Sequence, residues 1–159
     1  MENTLLNNDL LIENHPNMIR KSKTLNDMPF DVAFKYFPSG YKFTKELRKE
    51  LWRSHDKKCC YCGVEIETYM EMHIDHFIPK SKIINESIEN LVCSCSTCNL
   101  TKHSRDLEDF RFCMAVKNSI LNGVVDAHIV KKLVSIGVEM PIKLNKFYFE
   151  IVLSGDNNV

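Results

Sequence analysis

The sequence predicts an α+β protein, on three observations. Apolar residues recur at helical spacing in three stretches, and one C-terminal run is aromatic and β-branched as in a strand. Between two Cys-x-x-Cys pairs lies room for two strands and a loop. Thr44 can cap the first helix, which runs to about His55 with Leu47, Leu51 and Trp52 inside and basic residues outside. The second spans Asp106 to Leu121, with Leu107, Phe110, Met114 and Leu121 in helical register and Asn122-Gly123 as its stop. The third covers Asp126 to Ile136, on Ile129, Leu133 and Ile136. Past Pro141, Leu144 to Leu153 reads as a strand. Phe30 to Tyr41 carries five aromatics around Pro38-Ser39-Gly40 and reads as a short irregular cover.

The 159 residues set a prior of one domain. With 44% hydrophobic and 26% charged residues, the composition excludes a collagen-like or wholly disordered chain. No apolar run approaches the roughly 18 residues of a membrane span. The first twenty residues carry Asn and acids where a secretion signal needs a basic start and an apolar stretch. The expectation is a soluble, cytoplasmic protein with no membrane partner. Seven cysteines suit metal binding better than a disulfide scaffold in a reducing compartment.

Lys+Arg and Asp+Glu balance at 21 each, so any polyanion site depends on where the charges lie. From Lys42 to Lys58 seven basic residues face three acids, and Arg20, Lys21 and Lys23 form a smaller group. Glu65, Glu67, Glu71 and Asp75 lie in a stretch free of Lys and Arg, which suits a cation. Three segments follow: an Asn-rich, mobile or loosely docked arm over 1–28, a central unit over 29–105 that includes the preceding basic helix, and a helical and strand extension over 106–159 packed on that unit.

The central unit holds the chemistry. Cys59 and Cys62, then Cys95 and Cys98 after 32 intervening residues, offer four thiolates, the set that closes a tetrahedral zinc site. Cys60 and Cys93 adjoin these pairs and leave a shifted register open; a set of Cys59, Cys62, His73 and His76 is a rival that strands the second pair. Between the pairs, Ile74-Asp75-His76-Phe77-Ile78-Pro79 puts a hard oxygen ligand beside a base that titrates near neutrality. Adjacent strand residues face opposite sides, so Asp75 and His76 share a site only if the strand twists or ends there.

The ordered set Cys-x-x-Cys-Gly, Ile-Asp-His-Phe-Ile-Pro-Lys-Ser, Asn90-Leu91 and Cys-x-x-Cys-Asn-x-x-Lys resembles the HNH endonuclease family, or ββα-metal (His-Me finger) nucleases, in its zinc-bearing form. The resemblance covers about 60 residues, Leu47 to Arg105. It implies a ββα-metal core held by a structural zinc, flanked here by the helices and the C-terminal strand. It implies that His76 is the general base, that Asp75 and Asn99 bind a catalytic magnesium or manganese, and that Asn90 braces the loop and orients His76. Such enzymes cut a phosphodiester to leave a 5′-phosphate and a 3′-hydroxyl, so the implied activity is metal-dependent hydrolysis of DNA. Lys102 and His103 follow Asn99 on the same helical face and, with Lys80, Arg48 and Arg53, are the candidate nucleic-acid contacts. Each of these cations has a plain reading as a solvated surface residue, and His73 as a strand-face histidine. A protein partner or a homodimer would set target choice, in settings such as defence or a mobile element. The competing reading is an inactive zinc-knuckle module that binds nucleic acid or protein; Asp75, His76 and Asn99 together discriminate, since binding alone does not require them.

Overall fold

The computed structural model describes residues 15–22, 24–25, 27–82 and 87–155, so the first half of the expected arm lies outside the described residues. The chain begins with a 3-10 turn, Pro16–Ile19, then a short helix α1, Phe30–Ala33. Strands β1, Phe34–Phe37, and β2, Gly40–Phe43, follow, then α2, Lys45–Ser54. Two further strands, β3, His73–His76, and β4, Leu91–Ser94, lead into α3, Ser96–Lys102. Helices α4, Leu107–Lys117, α5, Ala127–Ser135, and α6, Tyr148–Ser154, complete the described chain. Among the described residues the sheets are two antiparallel pairs, β1 with β2 and β3 with β4. In the second pair His73 faces Ser94 and His76 faces Leu91. The fold is α+β, and β3, β4 and α3 make up its ββα core.

Helix starts follow local chemistry. The Thr44 hydroxyl accepts from Leu47 N at 3.1 Å, Asp106 from Asp109 N at 2.8 Å and Asp126 from His128 N at 2.7 Å, so each of the three expected helices is capped where its sequence places an oxygen. Leu47 and Leu51 are fully buried, and α2 packs on β4. Trp52 Nε1 donates to Ile66 O at 2.8 Å. Helix α4 ends at Lys117, short of Leu121, because the Ser119 hydroxyl turns back to Val116 O at 2.8 Å and accepts from Leu121 N at 3.1 Å, closing a turn.

Two expectations are corrected. The C-terminal strand over Leu144 to Leu153 is instead an irregular stretch ending in α6. Glu150 reaches back to Phe147 N at 2.6 Å, Gly155 closes the helix in the left-handed region at φ 69°, and among the described residues the segment meets no strand to pair with. The irregular cover over Phe30 to Tyr41 is a helical turn followed by a β-hairpin, with Pro38 and Ser39 at its tip and Gly40 at φ 112°. The described part of the 1–28 arm is docked. Leu25 is fully buried, and Lys21 N bonds Ser54 O at 2.9 Å. The Arg20 guanidinium donates to Ile88 O at 3.0 Å and also to Leu91 O.

The core joins both ends of the chain to the cysteine pairs. Tyr61 packs edge-on against Phe110, Phe147 and Phe149, and Phe77 lies between Phe149 and His15. The first amides of α6 bond the loop between the first cysteines: Tyr148 N to Tyr61 O at 2.8 Å and Phe149 N to Cys60 O at 3.0 Å. Arg111, fixed on α4, lies 4.4 Å over the Phe147 ring and pairs with both carboxylate oxygens of Glu150 at 2.7 and 2.8 Å. The 106–159 extension is thereby part of the central unit's packing.

Candidate metal centre and adjoining cleft

Two tight turns build the metal centre. Between Cys59 and Cys62, Gly63 N bonds Cys59 O and Cys59 N bonds Val64 O, both at 2.9 Å, and Gly63 adopts φ 75°. At the other pair Cys95 caps α3, its sulfur accepting from Cys98 N at 3.4 Å. The Sγ atoms of Cys59, Cys62, Cys95 and Cys98 all lie within 4.8 Å of one another, and Cys62 and Cys95 are 3.8 Å apart. A tetrahedron with Zn–S bonds of about 2.3 Å has edges of about 3.8 Å, so the spacing and the soft thiolate set both suit zinc. Hydrogen bonding among the four sulfurs splits them: Cys62 is drawn down to about 7 and Cys95 far below the ordinary thiol range, while Cys59 and Cys98 are held above it, so a bound cation would have to displace the protons that the other two keep. Anionic sulfur at neutral pH is what a cation needs.

The alternative ligand sets are excluded by position. Cys60 and Cys93 point into the core, where burial pushes Cys93 up to about 12 and Cys60 well above the usual range, so both stay neutral thiols. His73 and His76 lie on β3, outside the cysteine group. The acids Glu65, Glu67 and Glu71 are exposed, and among the described residues they form no metal-ligating group with three or more His, Cys, Asp or Glu side chains.

Beside this centre, the end of β3, the turn after Pro79 and α3 enclose a cleft of about 330 Å³. It is lined by Asp75, His76, Lys80, Asn99 and His103 among others. The strand ends at His76, so the two adjacent side chains both reach the cleft. They differ in burial: Asp75 is buried and His76 half-buried, with the Phe43 ring 5.9 Å from the imidazole. Asp75 Oδ2 accepts from the Tyr61 hydroxyl at 2.6 Å and pairs with the Lys102 ammonium at 3.0 Å. Burial holds Tyr61 well above the ordinary phenol range, which keeps it a donor. Asn99 Nδ2 lies a long 3.5 Å from His73 Nδ1, turning the amide oxygen away from that ring.

Asn90 is almost fully buried and clamps the turn after β3. Its Oδ1 accepts from Ile78 N at 2.9 Å, its Nδ2 donates to Ile78 O at 3.0 Å, and its carbonyl accepts from Phe77 N at 2.8 Å. Three bonds from one residue fix the backbone on which His76 sits.

The expected nucleic-acid contacts separate. Lys80 is exposed on the cleft rim, and His103 is exposed at the end of α3, at φ 48°, with its Nδ1 3.0 Å from Ser104 Oγ. Arg53 is exposed and paired with Glu50 at 2.8 Å. Arg48 is half-buried and donates to Met72 O at 2.6 Å, bracing the approach to β3. Lys102 departs from expectation: it is wholly buried, and besides Asp75 it holds His76 O at 2.7 Å. A phosphate contact is excluded there because the neighbouring carboxylate is buried too and the ammonium neutralises it. Tyr61 escaped sequence reasoning altogether. Its place between two cysteines of the four-sulfur group was the available signal, since a ring there is carried toward whatever the turn packs on.

Residues 59–105 match the family model for HNH endonuclease. That segment is an HNH domain. No curated protein and no solved structure gives a significant match to the chain. The HNH match spans the cysteine pairs, β3, β4 and α3, so the whole cleft wall belongs to it. Among the described residues no helix is long and apolar enough to cross a membrane.

Proposed function

We propose that the protein is a metal-dependent HNH endonuclease that hydrolyses phosphodiester bonds in DNA. The observation that carries the reading is the cleft itself: an imidazole, a carboxylate, an amide and two further basic side chains converge on one space inside an HNH segment. For a magnesium or manganese ion the donor set fits. Asp75 has Oδ2 committed to Lys102 and Tyr61 and keeps Oδ1 as a hard oxygen ligand, and the Asn99 amide oxygen is a second; two protein oxygens suit an ion that retains most of its waters. Such an ion supplies charge stabilisation at the scissile phosphate.

The side chains supply the rest. His76 takes the proton from the water that attacks phosphorus, and the bond from phosphorus to the 3′ oxygen breaks; that oxygen takes a proton from solvent, leaving a 3′-hydroxyl and a 5′-phosphate. Lys102 acts through structure: by holding both the Asp75 carboxylate and the His76 carbonyl it ties the two residues to α3, which carries Asn99. Asn90 keeps the following turn from moving His76. Lys80 and His103, at the cleft rim, contact phosphates flanking the cut.

Plasmid cleavage by purified, zinc-loaded protein tests this. Supercoiled DNA is expected to become nicked or linear with magnesium or manganese and to stay intact with chelator. His76→Ala should lower the rate by at least about 100-fold with zinc content and folding unchanged. Cleavage at the wild-type rate by that variant would remove His76 as the base. A folded, zinc-containing wild type that binds DNA and never cuts it would favour the second reading, an inactive binding module. The pairing of Asp75 with Lys102, on an oxygen that also accepts from Tyr61, is the observation on that side.

A further inference from the structure

The β1–β2 hairpin is a ribbon with two different faces. Alternation places Tyr36 and Tyr41, which pair across the strands, on the same side as Phe34 and Phe43; Lys35 and Lys42, also paired, fall on the other side. Phe34 is buried and Phe43 half-buried, yet the rings farther out are not: Tyr36 is 73% exposed and Tyr41 50%. Phe30, also half exposed, stacks on Phe34 at 4.5 Å and meets Tyr41 edge-on at 5.1 Å, and Tyr36 meets Tyr41 at 5.4 Å. The result is a continuous aromatic surface that leaves the core and enters solvent.

Two observations select its occupant. Lys35 and Lys42 stand directly opposite each other, an arrangement of like charges that opposes pairing and that a polyanion relieves. Exposed Lys45, at the start of α2 directly after the ribbon, adds a third cation. The inner end of the aromatic face lies beside one cleft residue, since Phe43 is on that face and its ring centroid is 5.9 Å from that of His76. Flat rings beside cations, next to a phosphodiester site, fit a polyanion whose own rings are unstacked.

We propose that the ribbon is a stacking platform for unpaired bases, so the preferred substrate is single-stranded or locally unpaired DNA rather than continuous duplex. Bases stack on Tyr36 and Tyr41, and the lysine side supplies the field that attracts the backbone. The proposal rests on the nuclease reading and names its substrate class.

The test is the affinity of the full, zinc-loaded chain, without magnesium, for a labelled oligonucleotide as a single strand and as a duplex, by fluorescence anisotropy. The wild type should prefer the single strand by tenfold or more. Tyr36→Ala with Tyr41→Ala should erase that preference, weakening the single strand at least tenfold and the duplex less than twofold. Tyr36→Phe with Tyr41→Phe should keep it, because the rings remain. Lys35→Gln with Lys42→Gln should weaken both forms and flatten the salt dependence. Unchanged single-strand affinity in the folded alanine pair, a wild type that prefers duplex, or no single-strand binding at all would overturn the platform. So would a sedimentation experiment in which the alanine pair alters only the oligomeric state, which assigns the face to a second copy. If the nuclease reading fails, the protein binds through Tyr36 and Tyr41 but does not cut with magnesium. If the platform fails, it cuts with affinity indifferent to both.

Discussion

Asp75 shows how a single buried group can be settled by partners far from it in sequence. Lys102 reaches it from 27 positions away and Tyr61 from 14, and both bond the same carboxylate oxygen. Replacing Lys102 by Met keeps the volume of the stem but leaves the carboxylate buried without its cation, which should cost about 3–5 kcal/mol. Urea unfolding of zinc-loaded K102M checks this, and a loss below about 1 kcal/mol would mean that the pair is solvated and weak. His55 supplies one source of pH dependence. It is buried at the end of α2, its Nδ1 bonding Leu51 O at 3.0 Å, and among the described residues no hydrogen-bond partner meets its Nε2. Burial first, then the nearby Arg20 charge, lower its pKa from 6.5 to about 3. Between those values the unfolded chain binds more protons than the folded one, so this contribution is complete above pH 6.5 and is lost as pH falls toward 3. The full shift corresponds to about 5 kcal/mol. Unfolding free energies at pH 7, 6 and 5 should therefore fall steeply for the wild type and less steeply for His55→Asn. Parallel declines would place the acid sensitivity elsewhere.

At the scale of elements, the turn from Cys59 to Gly63 and α6 form one unit. A Cβ on Gly63 would lie 2.7 Å from Tyr148 Cδ2, and the residue holds φ 75°. Gly63→Ala therefore meets both a left-handed backbone and a ring that α6 holds in place, and should lose about 2 kcal/mol or more, read as a drop in thermal midpoint. The Cys95 position has a double task, since its sulfur caps α3 and belongs to the metal group. Cys95→Ser or Cys98→Ser should release zinc and melt α3 together with the cleft wall, measured by zinc content and far-ultraviolet circular dichroism. A variant that stays folded and zinc-replete would refute this ligand set. The element misread from sequence is also α6. Its β-branched and aromatic residues favour a strand locally, yet Phe147 and Phe149 are both buried against Tyr61, and amides that a strand would offer sideways are used by Tyr61 O and Cys60 O. The capping glutamate and the closing glycine were visible in the sequence, and they mark the helix that a strand-like composition hides.

For the molecule as a whole, zinc removal should be a global event. The cysteine turn bonds β4 through Cys60 N and Cys93 O at 2.9 Å, receives the α6 amides, and sends Tyr61 to Asp75. Chelation should then collapse the cleft and the C-terminal packing in one transition. The single tryptophan, Trp52, is bonded to Ile66 O just past the turn and reports it by fluorescence. Its change should coincide with the loss of helical signal. Separate transitions would show that the extension folds without the metal.

Read alone, the sequence determined what depends on neighbours within one or two turns: the three capped helices, the two thiolate pairs, and Asp75 with His76 at the end of a strand before Pro79. Such features follow from backbone periodicity and short-range hydrogen bonding, which any window of a dozen residues contains. The tertiary structure decided the rest. It buried Lys102 where surface helical spacing pointed to phosphate, docked Arg20 on carbonyls 68 and 71 positions away, made α6 from a strand-like run and raised a hairpin from an aromatic cover. Each of these outcomes is the free-energy gain of satisfying a buried charge, amide or ring with a partner brought close only by the fold, and no local stretch of sequence holds both members of the pair.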